Sequence, residues 1–560
     1  MTDTPVDLTT GETGRVLRDV LGPLVAQGAV VRRPRVTAWA ERRQVDRTSH
    51  RLLERLRARY HGAPLVVRLG GRRLVVATRP EHVERVLAGS PEPFTPASWE
   101  KRGALVHFQP DGVLVSPLPE RLVRRPYNET VLDMSEPVHH DGAALVAAVE
   151  RETAELVTAV ESSGRLDWDT FAASWWRTVR TVVLGRAARD DERLVTLLDA
   201  LRRDGNWSWF RPRRPWLRAA LDRRIEEYVT IAEPGTLAAR GREAGGADVV
   251  RRQIPHWLFA FDAAGAATFR ALAVAAARTA VRDRLLAEPT TAERGPAVLP
   301  FARGCVLESV RLWPTTLAIL RDATAPVRWG ARTFPAGTGF VVLSAFFHRD
   351  ADRLPFADAF APEAWLDGRA DAGWGLVPFS GGPVPCPGRN VVLLLASHTL
   401  ARVARLDLAV GRGRYLAQDP LPATMDHLGL RFGLRSGRSG ARARCRRPRP
   451  CRRSPRVSGV SGRLLAGAGV EVRRVGVGVG ARLLRLRAAR LAPFAGVERA
   501  RVGVRVLGGV VAALVVLAHV GLLGQALRAG LGPRRAARSC HRRTARARSQ
   551  ARDASTAGPS

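Results

Sequence analysis

The amino-acid sequence predicts a mainly α-helical protein with small β-sheets, an α+β fold. From Asp141 to about Asp283, most windows place apolar residues at helical spacing, with Gly and Pro between segments. Short runs of β-favouring residues lie on either side of this region, at Leu65–Leu69 and in 317–342. The apolar fraction of 46% is spread along the chain, which is typical of a globular protein with a large core.

The first predicted elements lie between residues 51 and 90. A helix runs to about Arg59, and two short strands, Leu65–Leu69 and Arg73–Ala77, flank a Gly-Gly turn. Another helix begins within 78–82, where Pro80 occupies a first helical turn that tolerates proline.

The later elements lead to a change of composition near residue 435. Residues 302–313 predict a helix that ends before Pro314, residues 386–405 predict an apolar helix, and residues 424–435 predict a closing pair of strands. We therefore expect one domain over residues 1–435, followed by an Arg-rich, low-complexity tail over residues 436–560.

The net charge of +37 lies mostly in this tail, which holds 28 arginines and 3 acidic residues. Lys101 is the single lysine, so the cations reflect a GC-biased coding sequence, and we expect no nucleic-acid partner. Five cysteines argue against a disulfide framework, and the N-terminus lacks the pattern of a signal peptide. We expect a soluble, cytoplasmic enzyme domain.

One cysteine lies in a segment suited to a thiolate ligand. Cys386 stands in a Gly- and Pro-rich loop that leads directly into the apolar helix. Backbone N–H groups and the positive end of that helix lower a thiol pKa, and a thiolate on haem iron favours cleavage of dioxygen. A buried structural cysteine is the alternative for an isolated Cys.

The loop resembles the haem-binding FxxGxxxCxG motif of the cytochrome P450 family, through Phe379, Gly382, Cys386 and Gly388. The resemblance covers roughly residues 50–435. It implies a P450-like fold that holds haem b (iron protoporphyrin IX) between an oxygen-binding helix and the cysteine-loop helix, with Cys386 bound to the iron and O2 as co-substrate.

A second match is Glu308 and Arg311, which resemble the ExxR pair of this family. Three residues apart on a helix, they can form an ion pair, and the resemblance implies that they brace the haem loop. The position of the usual third member is Ala364, which cannot pair with them. Arg369 is close enough in sequence to replace it.

A third match is the segment 264–268, which resembles the oxygen-binding helix through Ala264, Gly265 and Thr268. We expect Gly265 to leave room for dioxygen beside a local kink, and Thr268 to offer its hydroxyl to bound oxygen. A hydroxyl bonded back to its own helix is the alternative for Thr268. The acid that usually precedes this threonine is replaced by Ala267. Asp262 could deliver protons through water or could serve as a salt-bridge partner.

The resemblance also implies cations for the haem propionates. Arg321 matches a position that often contacts one propionate, and Arg121 and Arg125 match the helix that often contacts the other. One expected contact is absent, because Val384 stands where the family commonly has Arg or His.

The predicted function is a bacterial haem-thiolate monooxygenase that oxidises a hydrophobic small molecule. The resemblance implies electrons from a ferredoxin and an NAD(P)H-dependent reductase. Two alternatives stay open: a haem-binding protein of the same fold without oxygenase turnover, which Ala267, Ala364 and Val384 favour, and a variant that uses peroxide.

The tail has three interpretations. It is a product of out-of-frame translation, a membrane attachment through the uncharged segment Val506–Gly524, or a nucleic-acid-binding arm. Only the second would bring the protein to a membrane.

Overall fold

The α-helices carry most of the fold in the computed structural model, which describes residues 3–289, 296–411 and 413–435. In chain order they are α1 (Thr10–Val16), α2 (Gly22–Gln27), α3 (Pro34–Arg43), α4 (Val45–Arg59), α5 (Pro80–Ala88), α6 (Trp99–Leu105), α7 (Leu118–Val131), α8 (Gly142–Ser163), α9 (Trp168–Leu184), α10 (Glu192–Gly205), α11 (Pro215–Ile231), α12 (Leu237–Ala277), α13 (Thr279–Ala287), α14 (Pro300–Leu312), α15 (Ser344–His348) and α16 (Arg389–Val403).

The strands are short and form three small sheets. They are β1 (Val6–Asp7), β2 (Leu65–Leu69), β3 (Arg72–Val76), β4 (Phe94–Thr95), β5 (Arg165–Asp167), β6 (Ala318–Ala323), β7 (Val327–Trp329), β8 (Arg332–Phe334), β9 (Gly339–Leu343), β10 (Leu408–Val410) and β11 (Arg431–Leu434). The largest sheet has the order β1-β2-β3-β9-β6-β4, the second has the order β10-β11-β5, and β7 pairs with β8. The predicted fold class, mainly α with small sheets, is confirmed.

Four helices form the centre of the larger core. α12 packs against α9 and α16, and α8 packs against the same two helices. α16 is apolar on every side and nearly all of its residues are buried, as expected of a helix enclosed by others. α14 then packs against both α12 and α16, which brings the predicted brace close to the cysteine-loop helix.

The long helix α12 is interrupted at Gly246, which has φ 81° and ψ 167°. The expected local kink at Gly265 is wrong, because the helix continues through that residue with helical backbone angles. By length and composition, α12 is the one helix among the described residues that could cross a bilayer. However, 78% of its most apolar window is buried inside the protein, as in a core helix.

Two other expectations differ from the structure in detail. The first hairpin strand pair is confirmed with a shift of one residue, since Leu65 pairs with Val76 and Leu69 with Arg72. The closing pair predicted within 424–435 is wrong: this segment supplies only β11, whose partners are β10 and β5 from distant parts of the chain. Strand partners far apart in sequence are set by tertiary packing.

The described residues up to Arg435 form one compact unit. The predictions for residues 436–560, including the segment Val506–Gly524, lie outside the described residues and stay predictions.

Candidate functional site

The loop before α16 holds Cys386 through backbone hydrogen bonds. The N–H of Cys386 donates to the carbonyl oxygen of Phe379 at 2.9 Å, which closes the loop. The N–H of Gly388 donates to the Cys386 sulfur. The sulfur therefore lies at the beginning of a buried helix, with a backbone donor directed at it.

Gly382 is required by the path of this loop. Its φ is +68°, a left-handed conformation that glycine adopts without strain. A Cβ at this position would overlap the carbonyl oxygen of Leu87 near the end of α5. Gly382 thus lets the cysteine loop pack directly on α5, while Phe379 packs against the larger core.

The pKa of the Cys386 thiol reflects opposing effects. Burial raises this pKa, whereas the Gly388 N–H and the positive charges of Arg125 and Arg389 lower it. The net direction is upward from the ordinary value of 9.0. The backbone donor lowers the pKa as expected, but desolvation of the sulfur outweighs it.

A largely buried cationic cluster lies beside the loop and consists of the buried Arg121, Arg125 and Arg321 and the half-buried Lys101. Burial, helped by Arg121, lowers the pKa of Arg321 to about 9. Burial, helped by Arg125, lowers the pKa of Arg121 to about 10. The pKa of Lys101 falls well below its usual value because of burial and because Arg321 and Arg121 are near. Like charges are thus held together away from water.

Two members of the cluster reach the cysteine loop. Arg321 Nη2 donates to Ser380 Oγ at 3.2 Å, and Arg125 Nη1 donates to the carbonyl oxygen of Pro385 at 2.6 Å. Pro385 directly precedes Cys386 in the loop. The structure therefore brings together the cysteine and the three arginines predicted from separate segments. Lys101 was not predicted as a site residue. The one signal in the sequence is that it is the single lysine of the chain.

Glu308 and Arg311 form a fully buried ion pair with two hydrogen bonds, of 2.6 and 2.7 Å. Arg311 also donates to four backbone carbonyl oxygens, those of His348, Phe356, Ala357 and Ala359. Every oxygen and nitrogen of such a pair must be bonded to offset its desolvation. The pair thus fastens α14 to the segment that precedes the cysteine loop.

The third member of this brace is a tryptophan. Trp365 Nε1 donates to Glu308 Oε2 at 2.9 Å, and the N–H of Ala361 donates to Glu308 Oε1 at 2.9 Å. The suggested replacement by Arg369 is wrong, because that side chain is exposed and pairs with Asp367 instead. The sequence did not point to Trp365, because the third position of the brace is expected to hold a cation and tryptophan carries no charge.

Within α12, the hydroxyl of Thr268 donates to the carbonyl oxygen of Ala264 at 2.9 Å. The hydroxyl is thus bonded to its own helix, which is the alternative considered for Thr268. Gly265 faces α9: a Cβ there would stand 2.7 Å from Cδ1 of Trp175. The glycine allows close packing with α9, and the expectation that it leaves room for dioxygen stays a prediction.

Asp262 forms an ion pair with the buried Arg202, which also donates to Asp199 at 2.9 Å. Of the two roles considered for Asp262, the structure therefore shows the salt-bridge partner. Ala267 is buried, and its carbonyl oxygen accepts a hydrogen bond of 2.8 Å from Ser309.

Part of the chain matches a family model. Residues 281–403, which include the Glu308–Arg311 pair and the cysteine loop, match the model described as cytochrome P450. This part of the chain is similar to the cytochrome P450 family.

Two curated relatives illustrate the extent of this likeness. The cytochrome P450 monooxygenase alnH of Emericella nidulans is 36% identical over 123 residues, 20% of this chain and 22% of that protein. The cyclooctat-9-en-7-ol 5-monooxygenase of Streptomyces melanosporofaciens is 33% identical over 109 residues, 19% of this chain and 24% of that protein. These matches thus span less than a quarter of each relative.

A solved structure extends the likeness of fold. The retinoic acid-bound cyanobacterial CYP120A1 superposes with a TM-score of 0.55 and 18% identity, covering 68% of this chain and 93% of the other. The P450 fold therefore covers the larger part of the chain.

Haem b is the cofactor of cytochromes P450 and dioxygen is their co-substrate. The residues present fit haem b. Its iron takes a thiolate such as that of Cys386, and its two propionates need cations. Among the described residues, buried donors without a partner include Nε of Arg121 and Nε2 of Gln109. A buried cationic cluster with unused donors is suited to a dianionic ligand.

Proposed function

We propose that this protein is a cytochrome P450, a haem-thiolate monooxygenase that inserts one oxygen atom of dioxygen into a hydrophobic small molecule. The observation that carries the proposal is the position of Cys386. The sulfur accepts the Gly388 N–H at the start of α16, and the buried cationic cluster stands beside the same loop.

Each part of this site has a role in binding haem. Cys386 supplies the thiolate for the iron. Arg121, Arg125 and Arg321 offset the propionate charges, and their burial strengthens that interaction. Haem bound through a thiolate supplies the activation of dioxygen.

On the side of α12, proton handling falls to Thr268. Its hydroxyl already has an acceptor in the Ala264 carbonyl, so its oxygen lone pairs stay free to accept a further hydrogen bond. With Ala267 in the place of an acid and Asp262 paired with Arg202, protons reach this hydroxyl through water.

The electron donor in this proposal is a ferredoxin with an NAD(P)H-dependent reductase, and the setting is a bacterial cytoplasm. Both come from resemblance to bacterial soluble members of the family. The names of two matched proteins support a hydrophobic substrate, since cyclooctat-9-en-7-ol and retinoic acid are both mostly hydrocarbon.

A second candidate is turnover with peroxide, and one observation favours it. Asp262, the acid considered for proton delivery along α12, is committed to Arg202. Hydrogen peroxide brings its own oxygen, electrons and protons, so a peroxide-using enzyme needs less proton delivery from the protein.

The test uses the full chain expressed with haem supply. We expect a thiolate-type spectrum for the reduced protein with carbon monoxide, and loss of that spectrum in Cys386→Ser with helix content unchanged. Substrate-dependent NADPH consumption with added ferredoxin and reductase would support the monooxygenase. Turnover with hydrogen peroxide alone would support the second candidate, and haem binding without either activity would leave a ligand-binding protein.

A further inference from the structure

Residues 28–32 form a compact loop between α2 and α3, which we call the N-terminal loop. The N–H of Arg33 donates to the carbonyl oxygen of Gln27 at 2.9 Å and closes the loop at its base. Gly28 has a φ of +98°, and a Cβ there would overlap the carbonyl oxygen of Val31. The chain therefore folds back tightly on itself before α3 begins.

Asn206, which directly follows α10, holds this loop with its side-chain amide. Its Oδ1 accepts the N–H of Val30 at 2.8 Å and the N–H of Val31 at 3.1 Å. Its Nδ2 donates to the carbonyl oxygen of Val31 at 2.8 Å. One side chain thus satisfies three backbone groups of the loop.

The opposite side of the loop is bonded to the segment that follows α14. Arg32 Nη2 donates to the carbonyl oxygen of Thr315 at 2.9 Å, and Arg32 Nη1 donates to that of Gly28 at 3.1 Å. One apolar side chain, Val30, is buried in the larger core, whereas Ala29 is exposed. A segment held by so few contacts opens locally at a lower cost than a core helix does.

The middle of α12 has one stripe that is less buried than the rest of the helix. His256, Phe259, Ala260 and Ala263 are half-buried, and their spacing places them on one side of the helix. Ala263 precedes Thr268 by five residues, about 8 Å along the helix axis. The stripe therefore borders a space that leads towards Thr268.

The N-terminal loop lies next to this stripe. Arg202, one helical turn before Asn206, forms an ion pair with Asp262, and its guanidinium carbon is 5.5 Å from the centre of the Phe259 ring. Burial lowers the pKa of Arg32 and the charge of Asp262 raises it, so the loop also lies near α12. The loop thus connects α10 to the segment after α14, beside the stripe.

We propose that the N-terminal loop is a plug that closes this space, and that a hydrophobic ligand opens it by taking the place of Val30 in the core. The inference rests on the proposed function, which places oxidation of a hydrophobic molecule beside Thr268. Asn206 stabilises the closed state, because it bonds the loop and not the ligand. A ligand opens the plug only as far as it binds the open state better than the closed state.

The first experiment measures how fast 4-phenylimidazole, an apolar ligand that binds haem iron through a ring nitrogen, associates with the full-length haem-loaded protein. Asn206→Ala should raise this rate about tenfold, because a larger fraction of the molecules is open. Gln44→Ala is the matched control and should leave the rate unchanged. The amide of Gln44 also makes three backbone hydrogen bonds, one to Glu41 and two with Thr424, and none of these involves the loop.

The second experiment follows amide hydrogen exchange of residues 28–32 by mass spectrometry. Saturation with the same ligand should speed exchange in this segment, because the displaced loop loses its hydrogen bonds to Asn206. Asn206→Ala should speed exchange there without any ligand, and Gln44→Ala should not.

Equal association rates in Asn206→Ala and Gln44→Ala would overturn the proposal, and so would exchange of residues 28–32 that is unchanged or slower in the presence of ligand. A protein that takes up no haem would contradict the monooxygenase proposal instead. Hydrogen exchange of the two haem-free variants would then still decide whether Asn206 holds the loop closed.

Discussion

The indole Nε1 of Trp365 donates a 2.9 Å hydrogen bond to Glu308, the acid of the buried ion pair that holds α14 to the segment before the cysteine loop. The Glu308 side chain is completely buried, so each of its hydrogen bonds offsets part of a large desolvation cost. A neutral donor from the following turn thus completes a brace whose expected cation is replaced by Ala364.

Replacement of Trp365 by phenylalanine should destabilise the protein. The smaller aromatic ring would keep most of the packing but lose the hydrogen bond to a charged carboxylate, worth about 1.5 to 3 kcal/mol. Urea denaturation followed by circular dichroism measures the loss. Arg369→Ala is the control and should leave stability within about 0.5 kcal/mol, because Arg369 is exposed. A large effect of Arg369→Ala would restore that arginine to the brace.

Replacement of Gly265 by Ala should destabilise the protein by about 1 to 3 kcal/mol, because the added methyl group would press on Trp175. In a Trp175→Ala background, the same change should cost much less. A double-mutant cycle on thermal unfolding measures this coupling. Additive effects would contradict the packing of Gly265 on Trp175.

Replacement of Thr268 by Val keeps the shape of the side chain and removes its hydroxyl. We expect about tenfold less product per NADPH consumed, since the hydroxyl is the polar group proposed to handle protons on α12. Ser397→Ala is the matched control, because Ser397 is buried in α16 and also donates to its own helix, at 2.7 Å. Unchanged coupling in Thr268→Val would reduce the hydroxyl to a structural role.

Stability should fall as the solution is made acidic, partly through His348. Burial and the charge of Arg311 lower the pKa of His348 from 6.5 to about 3. Between these pH values the unfolded chain binds a proton at this imidazole and the folded chain does not, so protonation favours unfolding. Each pH unit in this window should cost about 1.4 kcal/mol for this group.

His348→Gln tests this pH dependence, because the amide oxygen can still accept the N–H of Val377, which His348 Nε2 now accepts at 3.1 Å. Denaturation at a series of pH values should show a shallower acid limb for the variant. If the variant and the wild-type protein lose stability equally as the pH falls, the pKa of His348 does not differ between the folded and unfolded chains.

Local patterns in the sequence were enough to predict most helices and strands and to single out Cys386 as a candidate thiolate ligand. Apolar spacing predicted the helix that ends at Arg59 and the apolar helix after Cys386, and both are present because local periodicity determines which face a helix can bury. The Gly- and Pro-rich loop around Cys386 also follows from local backbone preferences, and Gly382 shows why, since its left-handed backbone favours glycine.

Contacts between distant segments could not be read from such patterns. Sequence position alone did not show that Trp365 bonds Glu308, that Trp175 packs against Gly265, or that Lys101 joins three arginines. The sequence by itself determined the mainly helical fold and the cysteine in its loop. The tertiary structure alone decided the third member of the brace, the packing of Gly265 and the membership of the cationic cluster, because hydrogen bonding and desolvation depend on neighbours in space.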